Sequence, residues 1–209
     1  MLMHSLITTL RASLRRAPFY DIIKKQCQKH PYRRWIVNGK QLPPPHLVKQ
    51  MAIKEFATRS DFPVFVETGT YLGDMVYAVK DVFPIIYSIE LSVDLHRLAK
   101  RRFALFPHIH ILQGDSGEVL ETLLREIRQP CLFWLDGHYS AGVTARGESE
   151  TPIEKELTHI VQHPLRKQHV ILIDDAHCFT GVGDYPTTDH LRDWAMRRGF
   201  EQFEIRDDI

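Results

Sequence analysis

With 209 residues, the chain has enough interior for one large domain whose sheet is covered on both faces. Its 44% hydrophobic and 25% charged content is that of an ordinary folded protein and excludes disordered and fibrous classes; no run approaches the roughly 18 apolar residues of a membrane span. The net charge of +1 hides an asymmetry: residues 1–61 carry twelve Lys/Arg against three acids, and the remainder fifteen against twenty-three.

Residues 1–45 read as a basic helical arm. Met3, Leu6, Ile7, Leu10 and Leu14 fall at helical spacing, with Arg11, Arg15 and Arg16 on other sides, so a docking helix is expected. The segment is free of acids until Asp21, which is also the composition of an organelle presequence. Such an arm suits an anionic substrate, a membrane surface, or the acidic face of its own or a neighbouring subunit. Pro43, Pro44 and Pro45 stop any helix and mark the boundary with a second unit, 46–209. Three widely spaced cysteines, Cys27, Cys131 and Cys178, offer neither a disulfide framework nor a zinc ribbon. A reduced, cytoplasmic protein is the expectation, with Cys131 a buried thiol.

From residue 46 the periodicity is helical to 59, with Leu47, Met51, Ile53 and Phe56 on a broad face. Short β-rich runs then alternate with helical stretches. Strands are expected at 64–67, 85–90, 109–113, 131–136, 169–174 and 200–205, and helices at 74–82, 93–106, 117–128 and 152–162. Continuous apolar strands separated by helices imply an α/β, Rossmann-like, doubly wound and mostly parallel sheet. Its ligand sits outside the carboxyl ends of the strands, near the point where strand order reverses.

The strand ends are polar. The first runs into Glu67-Thr68-Gly69-Thr70-Tyr71-Leu72-Gly73, where Gly69 permits a tight turn and Gly73 lets the next helix approach the sheet. The second ends in Glu90, an acid able to accept both hydroxyls of a ribose; the third leads to Asp115-Ser116, suited to an adenine edge; the fourth ends in Asp136. A dinucleotide site needs G-x-G-x-x-G, with pyrophosphate on the helix N-terminus. This loop lacks the third glycine and opens on an acid.

The pattern of Glu67, Gly69 and Gly73, then Glu90, then Asp115, resembles the class I S-adenosylmethionine-dependent methyltransferases over roughly residues 60–206. The resemblance implies strand order 3-2-1-4-5-6; this chain departs from the strand-seven hairpin that usually ends the family's sheet, and that final strand is expected to be short or missing here. It implies S-adenosylmethionine as cofactor: Glu67, Gly69, Thr70, Tyr71 and Gly73 around the methionine part, Glu90 on the ribose, Asp115 and Ser116 on the adenine, and Asp136 at the cofactor's edge.

In the second half, Asp136 and the pair Asp174-Asp175 end neighbouring strands, and three like charges there call for a cation. Oxygen ligands favour Mg²⁺, with Mn²⁺ or Ca²⁺ as alternatives. The arrangement resembles the metal-dependent O-methyltransferases of the macrocin and novobiocin type, which implies Asp136, Asp174 and Asp175 as metal ligands and a sugar or other small hydroxylated acceptor. His138 stands where a general base is wanted, with His177 as competitor. Both aspartates of the pair can ligate only if the strand has ended by Asp174, since neighbours in a strand point to opposite faces. Two alternatives stand beside this reading, a metal-independent O- or N-methyltransferase and a non-catalytic nucleotide-binding module. Arg146, in the polar loop after Tyr139, is a candidate to grip the acceptor, and His159 and His163 read as an exposed face. Nucleic acid is not expected as substrate, because the basic stretch lies outside the presumed site. The short C-terminus leaves a sheet edge that the arm or a partner subunit could cover.

Overall fold

The computed structural model describes residues 20–137 and 151–209, with side chains from residue 28 onward. The amphipathic segment at 3–14 and the loop 138–150, with His138 and Arg146, lie outside the described residues.

Two helices, α1 (Tyr20–Val37) and α2 (His46–Ser60), precede an alternation of strands and helices. These are β1 (Val64–Thr68), α3 (Asp74–Val79), β2 (Ile85–Glu90), α4 (Val93–Arg102), β3 (Ile109–Gln113), α5 (Ser116–Glu126), β4 (Cys131–Leu135), α6 (Ile153–Gln162), β5 (Val170–Ile173) and α7 (Thr188–Arg197). The strands form one sheet in the order β3-β2-β1-β4-β5, every pair parallel. The order reverses between β1 and β4, so the carboxyl ends of those two strands flank the crevice.

Strand alternation divides the core into two. Phe65, Ile86, Leu132, Trp134 and Leu172 face one side, where they pack with Ile53 of α2, Val76 and Val79 of α3, and Ala99 of α4. Val64, Val66, Cys131, Phe133 and Leu135 face the other, against Leu120 and Leu123 of α5, Ile153, Leu157 and Ile160 of α6, and Leu191 of α7. Both β1 and β4 are buried along their whole length, which is why their sequences are apolar without alternation. Cys131 is a buried free thiol, as expected, with its pKa pushed up to about 12 by burial.

The sixth strand does not form. Residues 200–205 have no regular secondary structure and pair with nothing in the sheet. Phe200 is drawn back to the preceding helix: its amide donates to Ala195 O at 3.2 Å, and its ring stacks on Trp194 at 6.4 Å. Arg192 lies over Phe203 and holds the next turn of chain there as well. A groove of about 490 Å³ is left along the open edge of β5. The helix α7, which the strand reading passed over, starts at an ordinary cap, Thr187 accepting from the amide of His190 at 3.1 Å.

After residue 205 the tail turns back across the molecule. Arg206 pairs with Glu55 of α2, Asp207 with Lys40 at 2.9 Å, and the Asp208 carboxylate reaches His177 beyond β5.

A candidate cofactor and acceptor site at the ends of the strands

Parity carries the polar ends to opposite faces of the sheet. Glu67 shares the side of Phe65, facing α2 and α3, and it lies in register with Ser88 on β2. Ser88 Oγ donates to Glu67 Oε2 and lies 2.6 Å from Thr70 Oγ1. Glu67 is only 2% exposed. Burial drives its pKa well above the usual carboxylate range, against the pull of the Ser88 hydrogen bond. The acid at the head of the loop is therefore a buried brace between β1 and β2.

Beyond it the chain makes the tight turn the sequence asks for. The amides of Gly69 and Thr70 both donate to Ile89 O, at 2.9 and 3.1 Å. Gly69 has φ +85°, and a Cβ there would stand 2.3 Å from Asp136 O. Only glycine allows the β1 turn to touch the end of β4 so closely. Gly73, at φ +71°, leads into α3, and its missing side chain leaves room for the ring of Phe103.

Glu90, at the end of β2, accepts from two amides, Tyr71 N at 2.7 Å and Ser92 N at 2.8 Å, one on each carboxylate oxygen. Tyr71 lies in the left-handed region, φ +49°, and its side chain is exposed. Burial raises the Glu90 pKa, and the two amide bonds oppose that rise.

On the other face, Asp115 caps α5 by accepting from Gly117 N at 2.8 Å. Ser116 is buried and donates to Glu156 Oε1 at 2.5 Å. Glu156, on α6, is 1% exposed, and its pKa is pushed up to about 7 by burial, against hydrogen bonds from Ser116 and Thr68. It thus ties the β3–α5 turn to the end of β1. The sequence reading missed it, although a signal was there: Glu156 shares a helical face with Ile153, Leu157 and Ile160, an acid on an apolar stripe.

Asp136, Asp174 and Asp175 form an acidic corner at the ends of β4 and β5. Strand β5 ends at Ile173, so the condition on the Asp pair is met. Asp174 keeps the parity of Leu172, while Asp175 turns into the left-handed region, φ +54°, with its amide on Asp174 Oδ1 at 2.9 Å. Carboxylate oxygens of all three lie within 4.8 Å of one another. The group is not left to repel itself. Lys49 Nζ, carried in by α2, lies 2.6 Å from Asp174 Oδ2 and 3.0 Å from Asp175 Oδ1. Burial works against the Lys49 charge, but the two carboxylates overcome it and hold its pKa above the usual lysine range. No motif pointed to Lys49, because it belongs to a helix outside the strand–helix alternation.

His177 lies just past this corner. Its Nδ1 is 2.7 Å from Asp208 Oδ2, and its backbone amide donates to Asp208 Oδ1 at 2.8 Å. His163 is buried against His169, with Nδ1 and Nε2 2.8 Å apart, and does not share an exposed face with His159. His159 instead reaches Gly117 O at 2.9 Å.

A five-stranded parallel sheet covered by helices, with a glycine turn after β1, an acid ending β2 and a capped turn after β3, makes a Rossmann-like α/β fold. No family profile matches the chain, and no curated protein matches it by sequence. Solved structures do match. A methyltransferase from Podospora anserina, bound to SAH, superposes with a TM-score of 0.51 at 17% identity, covering 88% of this chain and 82% of that one. An O-methyltransferase of tomaymycin synthesis from Streptomyces achromogenes, in complex with SAM, gives a TM-score of 0.53 at 16% identity, covering 71% and 66%. These likenesses are likenesses of fold.

Proposed function

We propose that the protein is an S-adenosylmethionine-dependent methyltransferase acting on a hydroxyl of a sugar or other small molecule. The observation that carries this reading is the passage of Gly69 against Asp136, which sets an open loop, the Glu90 carboxylate and the acidic corner around one crevice. The cofactor's sulfonium and ammonium are cationic, so a crevice edged by Glu90, Asp115 and Asp136 attracts it where it would repel a pyrophosphate. Glu90 has one amide on each oxygen and keeps lone pairs for the two ribose hydroxyls. Tyr71, Thr70 and the glycine turn border the methionine part, and Asp115 the adenine. The hydroxyl of Ser116 is turned to Glu156, so on the adenine side it acts through the shape of its turn. That both SAH- and SAM-bound proteins share this fold supports the cofactor assignment.

At the acceptor end, Asp136, Asp174 and Asp175 make a donor set of the kind a hard divalent ion prefers. As folded, however, it does not fit one: the Lys49 ammonium already bonds two of the three carboxylates, and a metal ion among them would meet a fixed positive charge. This favours the metal-independent form of the reaction. His138 and His177 remain the two proposed bases, His177 oriented by Asp208.

Calorimetry with S-adenosylmethionine, followed by transfer of a labelled methyl group to a panel of hydroxylated small molecules with and without chelator, tests the proposal. Binding and chelator-insensitive transfer are expected. A chain that binds no S-adenosylmethionine is not a methyltransferase, and the nucleotide-binding alternative then stands.

A further inference from the structure

We infer that Lys49 is the resident cation of the acceptor site, taking the place that the three carboxylates would otherwise give to a divalent metal ion. The inference rests on reading this corner as the acceptor end. Its basis is geometric. Asp136 and Asp174 continue the parity of Trp134 and Leu172, so both lean toward the face that α2 covers. Lys49 sits on α2 with Val48 and Ile53 buried beside it, and its side chain is 14% exposed, so the helix holds the ammonium in place. Asp175 turns back into the left-handed region, which puts its oxygen on the same nitrogen as that of Asp174.

The chemistry follows from the count of donors. An ammonium has three N–H groups; Asp174 and Asp175 take two, and among the described residues the third has no acceptor. That donor is the one available to an acceptor oxygen. In the transfer step the acceptor oxygen's lone pair forms the new O–CH₃ bond. The C–S bond of a bound S-adenosylmethionine would break with its electron pair left on sulfur, and the acceptor's proton would leave to the base proposed above. Lys49 remains an ammonium throughout; it orients the oxygen and offsets the carboxylates, which are two tasks of a bound metal. Unlike a metal, it cannot be removed by a chelator or exchanged.

The test is a Mn²⁺ titration followed by electron paramagnetic resonance, with the metal alone as probe, on the full chain. Wild type and Lys49→Arg should leave Mn²⁺ essentially free. Lys49→Met, which takes the ammonium away from Asp174 and Asp175, should bind one Mn²⁺ at least tenfold more tightly, and Asp174→Asn added to it should abolish that gain. The inference is overturned if wild type binds one Mn²⁺ that Asp174→Asn removes. It is equally overturned if Lys49→Met, melting as a folded protein, gains no Mn²⁺ site. Should Lys49→Met not fold, wild type against Asp174→Asn decides by itself. Calorimetry with S-adenosylmethionine on the same samples keeps the two readings apart: absence of cofactor binding refutes the proposed function, while the Mn²⁺ comparison still decides what balances the acids.

Discussion

Glu156 offers the sharpest physical test of the site's construction. Its carboxyl is buried between Ser116, Thr68 and Gly137, and its pKa in the folded chain is about 7 against 4.5 when free. A raised acid stabilises the fold while protonated, and that stability is lost as pH rises through the folded value. At about 1.4 kcal/mol per pH unit between the two values, Glu156 should cost the native state about 3 kcal/mol once fully ionised, and about 2.5 kcal/mol of that falls between pH 5 and pH 8. Glu156→Gln keeps the shape and cannot ionise. Urea unfolding of wild type and variant at pH 5 and pH 8 gives four stabilities, and their double difference isolates this residue from Glu67 and Asp174, which are also raised. The variant should lose less stability on going to pH 8. If both chains fall by the same amount, Glu156 is not the buried, reluctant acid described above, and the account of how the β3–α5 turn is held fails with it.

Gly69→Ala should be among the worst single changes, since its Cβ would lie 2.3 Å from Asp136 O on a backbone at φ +85°. A loss of about 2 kcal/mol or more is expected together with loss of cofactor binding, read by thermal melts and calorimetry. Glu90→Ala removes the acceptor for Tyr71 N and Ser92 N as well as the proposed ribose contact, so affinity for S-adenosylmethionine should fall at least tenfold, about 1.4 kcal/mol. Wild-type affinity in that variant would remove Glu90 from the site. His169, lowered to about 4 by burial and by His163, must be protonated when the chain unfolds in mild acid. Stability should therefore drop as pH falls from 6.5 toward 4, and His169→Phe should flatten that limb of the unfolding profile.

What was legible in the sequence is what depends on neighbours in the chain. The five strands and the helices between them followed from apolar runs bounded by turn residues, and the Gly69 turn followed from residue type alone. Residues 200–205 show where such reading stops. Their composition is that of a strand, but a strand exists only if its amides find partners, and the contact with Trp194 draws Phe200 elsewhere. The acidic corner was read as the site of a divalent ion, and in the structure the Lys49 ammonium lies against two of its three carboxylates. Which charge answered could not be read, because Lys49 reaches Asp174 across 125 residues and nothing local distinguishes it from other surface lysines. Glu156 was legible in principle, since an acid on an apolar helical stripe must find hydrogen-bond donors inside.

The tail that returns across α2 bears on the order in which the molecule assembles. The β1–β2, β2–β3 and β4–β5 pairs each need only one crossover, and β1–β4 the span of the two β-α units between them, but the Lys40–Asp207 and Arg206–Glu55 contacts close loops of 167 and 151 residues. Closing a loop of about 160 residues rather than 20 adds about 2 kcal/mol of chain entropy, and contacts that distant form late. The clasp is therefore a separate opening unit, able to detach while β1 and β4 stay paired. Its release takes Asp208 from His177 and frees the turn that carries Asp175. Native-state hydrogen exchange should find the amides of Ala176 and His177, both held by Asp208, exchanging well before those of β1 and β4, so that the turn carrying Asp175 breathes while the ends of β1 and β4 stay rigid.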